Sequence, residues 1–306
     1  MVRRTRTALW TAELAVLLAA VLALAACVPV QPDDPAPARP VASAERSVDD
    51  PAPPAPSSPA RPEPAPREPT PAAPEVPEPA DDERLAWYYT PNTSHTVVAV
   101  PSRASELLAA YSGIYTGPDP GAVYLTFDQG YENGNTPVIL DALARGGVKA
   151  TFFLTETYIR ANPELVRRMA DEGHLVGNHT ATHPSLPSLV DDPEAFAREL
   201  ETTEATYAEV TGREMARIMR PPMGEYSARS LWRTQRLGYT SVFWGFAHRD
   251  WIVDDQPPVD VTIERILNGS HPGAIYLLHG VSSSDAQALD DAIEGLRAQG
   301  YRFGVL

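Results

Sequence analysis

From Gly121 onward, short apolar runs alternate with longer stretches that open at Pro and close at Gly. The apolar runs predict strands at 122–127, 148–154, 175–178, 217–219, 240–246, 274–278 and 301–305. Thr136-Pro137 opens a helix that stops at Gly146-Gly147, with Pro at its first position and Gly past its end. Asn162-Pro163 opens a helix closed by Gly173, and Asp192-Pro193 opens one that reaches Val210 before Gly212. Further helices are predicted over 228–237, 261–267 and 285–299. A βα alternation of this length predicts an α/β fold, either a parallel barrel or a doubly wound sheet.

Strong polar residues follow five of the apolar runs. Asp128 follows 123–127, His179 follows 175–176, Arg220 follows Ile218-Met219, Asp250 lies beyond 242–244, and His279 follows 275–278. In a βα barrel all five positions open onto the C-terminal face, where active sites lie.

The first 83 residues have a different character. Arg3, Arg4 and Arg6 precede an uncharged apolar run over 14–26, too short for the ~20 residues a membrane span needs. A basic start, a short apolar run and small residues at its end predict an export signal. It ends Leu24-Ala25-Ala26-Cys27, which resembles a bacterial lipobox, and Cys27 is the chain's single cysteine. The resemblance implies cleavage before Cys27 and lipid attachment to its thiol; the alternative is an ordinary secretory signal. One cysteine excludes an internal disulfide framework and any Cys-cluster metal site.

Residues 28–83 hold 18 of the 32 prolines, with 12 acidic and 4 basic side chains. So polar and Pro-rich a stretch predicts a disordered linker that buries too little surface to offset its ordering entropy. Extended at ~3.1 Å per residue it would reach roughly 170 Å, enough to hold a domain away from a membrane. A PxxP ligand role is the alternative. Residues 84–120 are expected to pack on the barrel as an N-terminal extension, and 121–306 to form the catalytic domain. The formal charge of −15 argues against a nucleic-acid partner.

The polar set has the chemistry of a hydrolase. Asp128 could deprotonate water and His279 could protonate a leaving group. Arg220 could hold the Asp128 carboxylate ionised, and Asp250 could keep His279 protonated. His179 and His183 are spaced to share one face of a helical turn and bind one ion. Capping or core histidines are the competing reading, and Pro184 argues for a tight turn or a single helical turn.

Thr126-Phe127-Asp128-Gln129-Gly130, His179-Thr180-Ala181-Thr182-His183, Arg220-Pro221-Pro222-Met223-Gly224, Asp250-Trp251 and Leu277-Leu278-His279 follow one another in order. This series resembles the motifs of polysaccharide deacetylases, the carbohydrate esterase family 4 or NodB-homology enzymes. The resemblance implies a distorted (β/α) barrel and metal-assisted hydrolysis of N-acetyl groups on sugars. It implies Asp128 as base, His279 as acid, Arg220 as brace for Asp128 and Asp250 as tuner of His279. It further implies His179 and His183 as metal ligands, with Trp251, Leu277, Tyr131 and Pro222 around the substrate.

Two positions depart from the family pattern. Gln129 stands where the family has a metal-binding Asp, and Ala247 where it has an Asp three residues before Asp250. An amide oxygen is a poorer ligand than a carboxylate for a divalent cation. The metal, Zn²⁺ with Co²⁺ or Mg²⁺ as alternatives, is therefore expected to bind weakly. The segment Gly130-Tyr131-Glu132-Asn133-Gly134 and the run 271–279 resemble muramic acid de-N-acetylases. That likeness implies peptidoglycan as substrate and N-acetylmuramic acid as target. N-acetylglucosamine or chitin-type deacetylation and a wall-glycan-binding protein with weakened activity are the alternatives. Glu132 is read as either a substrate contact or a loop residue, His174 and His271 as structural. A monomer, exported and lipid-anchored facing the wall or periplasm, is expected.

Overall fold

A computed structural model describes residues 77–306. The export signal, Cys27 and residues 28–76 lie outside the described residues.

The elements run β1 (Leu85–Ala86), α1 (Ser102–Ala110), β2 (Gly113–Ile114), β3 (Ala122–Gln129), α2 (Thr136–Gly146), β4 (Thr151–Leu154), α3 (Glu156–Ala161) and α4 (Pro163–Asp171). They continue with β5 (Leu175–Asn178), α5 (Pro193–Thr211), β6 (Ile218–Met219), β7 (Glu225–Tyr226), α6 (Ala228–Arg236) and β8 (Thr240–Val242). The chain closes with β9 (Phe246–Ala247), α7 (Val259–Asn268), β10 (Ile275–His279), α8 (Ser283–Ala298) and β11 (Arg302–Phe303). Nine strands pair in parallel in the order β2-β8-β6-β5-β4-β3-β10-β9, with β11 added beside β3. The sheet curls into a half-barrel, the distorted (β/α) barrel expected from the motifs. Its edge strands β2 and β9 do not pair with each other.

Strand parity builds two cores and aims the site. Along β3, Val123, Leu125 and Phe127 pack under the helices with Ile139, Leu143 and Leu289, while Ala122 and Tyr124 face the sheet's inner side with Phe153 and Ile275. Successive side chains on a strand alternate faces, so Asp128 continues the inner series of Tyr124 and Thr126. On β10, Ile275, Leu277 and His279 form the matching inner series.

Helix starts follow local chemistry. The Thr155, Asp192, Ser227 and Ser282 side chains cap α3, α5, α6 and α8. Thr136-Pro137 opens α2, and Gly147 ends it in the left-handed conformation at φ 60°. The strand predicted over 240–246 is two strands, broken at Trp244-Gly245. β8 pairs with β2 and β6 while β9 pairs with β10 at the other edge of the sheet, and at Gly245 between them an added Cβ would lie 2.4 Å from His271 Nε2, so only glycine fits.

The N-terminal extension is tied down by aromatics. Trp87 is buried, stacks on Phe243 at 4.5 Å between ring centroids, and donates its indole N–H to the Trp244 carbonyl. Tyr88 is exposed, whereas the Tyr89 hydroxyl accepts the Ala247 N–H at 2.8 Å, at the position where the family Asp is missing. Residues 78–83, read from composition as the linker's end, also touch the domain. Glu78 pairs with Arg229 and Arg233, Asp82 with Arg229, and Asp81 and Glu83 with Arg103.

Candidate active site

The C-terminal strand ends open into a cavity of about 680 Å³. Asp128, His179, His183, Trp251, Leu277, Tyr131 and His279 all line it. Thr155, Thr157 and Val281 line it too, and no motif pointed to them; Trp244 also lines it. Pro221, Met223 and Gly224 form the wall contributed by the Arg-Pro-Pro segment, while Pro222 is buried and does not line the cavity.

The Asp128 carboxylate receives an Arg220 guanidinium N–H at 2.7 Å. Arg220 is fully buried, with its guanidinium 4.3 Å from the Phe153 ring centroid and its Nε bonded to the Val242 carbonyl. Burial alone would raise the Asp128 pKa, but the Arg220 charge and hydrogen bond, with the His279 charge, outweigh it and hold the carboxyl below its ordinary range. Asp128 is therefore an anion at neutral pH.

Asp250, fully buried, grips His279 twice. Its Oδ2 accepts the His279 backbone N–H at 2.7 Å, and its Oδ1 lies 2.8 Å from Nδ1. This fixes the proton on Nδ1 and aims Nε2 at the cavity, with the Trp251 ring 5.7 Å away. Burial works to discharge His279, yet Asp250 and then Asp128 and Asp285 hold its pKa above the ordinary value. A base held ionised and an acid held protonated thus face one cavity.

The His179–His183 segment is not a helical turn. Thr180 and His183 take left-handed φ values of 68° and 60°, so the pair sits on a tight loop. The loop is pinned from outside: the Glu199 carboxylate on α5 accepts the backbone N–H groups of Ala181 and Thr182 at 2.9 and 2.8 Å. Asn178 Oδ1 accepts the Thr180 N–H, and Thr180 Oγ1 accepts that of His183. The two imidazoles stand edge to face at 4.8 Å between centroids.

His179 donates its Nδ1 proton to the Arg220 carbonyl at 2.9 Å, leaving Nε2 with its lone pair 3.5 Å from Asp128 Oδ2. Burial pushes His179 down to about 4 and lowers His183 as well, so both rings are neutral near pH 7. A lone pair facing a carboxylate oxygen is an arrangement that a cation relieves, and two neutral imidazoles suit a Zn-type ion. Gln129 does not line the cavity. It is fully buried, its amide donates to Thr136 Oγ1 at 3.3 Å, and its Oε1 lacks a partner among the described residues. Glu132 has the loop role: its carboxylate accepts the Thr136 N–H and the Tyr158 hydroxyl. His174 is buried and accepts the Ala150 N–H, and His271 is buried beside Gly245.

A curled parallel sheet with an Asp–Arg base, a His–Asp acid and a histidine pair at its strand ends defines a deacetylase site. The Polysaccharide deacetylase family profile matches residues 116–242. The chain is 39% identical over 223 residues to the peptidoglycan-N-acetylmuramic acid deacetylase PdaA of Bacillus subtilis, covering 72% of this chain and 84% of that protein. It is 42% identical over 164 residues to a chitooligosaccharide deacetylase of Rhizobium leguminosarum bv. trifolii, covering 53% of this chain and 73% of the other. The solved structure of B. subtilis PdaA, a family 4 carbohydrate esterase, matches with a TM-score of 0.71 at 38% identity, over 75% of this chain and 96% of that one. The chain belongs to the polysaccharide deacetylase family of carbohydrate esterase hydrolases, whose members are metalloenzymes.

Proposed function

We propose that this deacetylase removes N-acetyl groups from peptidoglycan amino sugars, with N-acetylmuramic acid as its principal target. The observation that carries the chemistry is the opposed protonation of Asp128 and His279 over one cavity. Asp128 takes a proton from water as its oxygen attacks the acetyl carbon. His279 gives its Nε2 proton to the nitrogen as the C–N bond breaks, releasing acetate and an amine. Where the lactyl carboxyl is free, that amine can close to a δ-lactam. His179 and His183 would hold a divalent ion, Zn²⁺ foremost with Co²⁺ or Mg²⁺ as alternatives, which would polarise the acetyl carbonyl. Gln129 brings no carboxylate to that site, which favours weak binding.

The muramic assignment rests on the likeness to PdaA over 72% of the chain. A second reading, N-acetylglucosamine in chitin-type polymers, draws on the likeness to the chitooligosaccharide deacetylase. A glycan-binding protein without turnover would have no use for an acid and a base held in opposite states. Acetate release is measured on intact peptidoglycan, amidase-treated peptidoglycan and chitooligosaccharide, each with chelator and with Zn²⁺, Co²⁺ or Mg²⁺ restored. Release from the amidase-treated wall in excess of the others is expected; equal release from the oligosaccharide would overturn the muramic reading.

Export, lipid attachment at Cys27 and a monomer at the membrane surface facing the wall complete the proposal. Cys27→Ser should release the protein from the membrane fraction.

A further inference from the structure

Behind the Asp250–His279 pair stands a second histidine–aspartate pair drawn from two other parts of the chain. His248, just past β9, and Asp285, in the first turn of α8, are joined at 2.9 Å between Nε2 and Oδ1. Both side chains are buried, at 5% and 1% exposure. Asp285 is fixed by its own backbone, which donates to the capping Ser282 hydroxyl at 3.0 Å. One of its carboxyl oxygens lies within 4.8 Å of an Asp250 oxygen, and His248 Nε2 is 4.0 Å from Asp250 Oδ2. Asp285 Oδ2 and His248 Nδ1 have no other partner among the described residues. Four titratable groups thus adjoin: His248 bonded to Asp285, Asp250 beside both, and His279 bonded to Asp250.

His248, Asp250 and Asp285 also have the composition of a metal site, with ligand atoms all within 4.8 Å of one another. Both Asp250 oxygens, however, are already committed to the ring and the backbone of His279. An ion bound there would have to break the link that orients the acid. The geometry favours two hydrogen-bonded His–Asp pairs set side by side. Two adjoining buried carboxyls need either a shared proton or flanking cations, and the two imidazoles are placed to be those cations.

We propose that His248 and Asp285 are positioning residues for the general acid, fixing the charge and orientation of Asp250 and through it those of His279. The proposal rests on the deacetylase reading of the site. His279 is faced by Asp128 from β3, Asp250 from the segment after β9, Asp285 from α8 and His183 across the cavity. His248 is faced by Asp285, Asp250 and Arg265 of α7. Burial opposes charge on both rings, yet the facing carboxylates hold both pKa values above the ordinary one. Burial, followed by the Asp250 charge, pushes Asp285 up against the pull of His248.

Asp285→Asn, His248→Gln and the double variant test this in the whole chain, with circular dichroism to check the fold. Asp285→Asn should lower kcat by about 10- to 100-fold, the range for losing a group that orients a histidine, with KM unchanged. Its His279 imidazole, followed by NMR, should titrate at lower pH than in the parent, with the alkaline limb of kcat/KM moving alongside. The double variant keeps an amide–amide contact without charge; it should keep the fold and the shifted titration. An unshifted His279 titration in a folded Asp285→Asn protein would overturn the proposal. So would a stoichiometric Zn²⁺ that survives His179→Gln but is lost in Asp285→Asn. A shifted titration in a chain that releases no acetate from any substrate would uphold the link and sink the deacetylase reading instead.

Discussion

Asp128 and His279 are register partners: residue 128 of β3 lies directly beside residue 279 of β10 in a parallel ladder. Neighbouring strands stand about 4.8 Å apart, so base and acid are delivered to one cavity by the sheet itself. Each then has its own buried counter-ion, Arg220 for the base and Asp250 for the acid.

The pH profile of turnover should carry the mark of that pairing. The alkaline limb of kcat/KM belongs to His279, held above about 6.5, and the acid limb to the groups that must be unprotonated, Asp128 and the His179–His183 pair, all held below their ordinary values. A plateau broader than unperturbed groups would give is expected on soluble muropeptide. Asp128→Asn and His279→Gln should each lower kcat by about 10²- to 10⁴-fold without loss of fold. Full activity in either would remove that residue from the chemistry.

Arg220→Met should be among the most damaging single substitutions. It leaves the Asp128 carboxylate buried without its cation, a loss that costs about 3–5 kcal/mol when one partner of a buried pair is removed. In the parent, the depressed Asp128 pKa contributes stability present above pH ~3.9 and lost as pH falls through the folded value. Urea midpoints at pH 7 and pH 3 should therefore converge in the variant. A pH 7 midpoint equal to the parent's would mean the pair contributes nothing.

Much of the site could be read from the chain because strand parity and helix punctuation are local. Asp128, Arg220 and His279 fall where an apolar run ends, and that is where the folded strands present them. What escaped reading depends on contacts between distant residues. The loop at 180–183 takes its left-handed turns because Glu199 holds it from α5. The 240–246 run breaks because its two ends pair with strands at opposite edges of the sheet, β8 with β2 and β6, and β9 with β10. His248 and Asp285 meet although 37 positions apart in the chain, with no spacing to mark them. Helix α3 is only 6 residues long and hides between a strand and the Pro-started α4.

Acid should also destabilise the fold through a residue far from the cavity. His174 Nδ1 accepts the Ala150 N–H at 3.1 Å, which only an unprotonated nitrogen can do. Burial, then the Lys149 charge, lowers its pKa. The folded state favours the neutral ring, so its contribution is complete above the ordinary histidine value of about 6.5 and drains as pH falls below it. His179, His183 and His271 are lowered too and add to the same slope. In chelator, His174→Gln should be less stable at pH 7.5 and lose less between pH 7.5 and 5.5. Equal losses in both proteins would show that His174 does not titrate across unfolding.

The segment from Glu78 to Trp87, where the linker meets the N-terminal extension, is held by two kinds of contact, and magnitudes decide between them. Glu78 and Asp82 are 38% and 40% exposed in their pairs with Arg229, and Asp81 and Glu83 are half exposed or more against Arg103. Exposed ion pairs contribute about 0.2–1 kcal/mol each and weaken with salt. Trp87 is buried against Phe243, Tyr226 and Tyr115, and truncating a buried Trp to Ala costs about 3–5 kcal/mol. Replacing all four acidic residues by Ser should therefore lower stability less than Trp87→Ala alone, and the loss they cause should shrink further in 0.5 M NaCl, widening the gap between the two variants. Because Trp87 also donates to the Trp244 carbonyl, and Trp244 lines the cavity, Trp87→Ala should raise KM as well. The four Ser substitutions should leave KM unchanged. If they instead cost more stability than Trp87→Ala, the ion pairs and not the aromatic cluster anchor this segment.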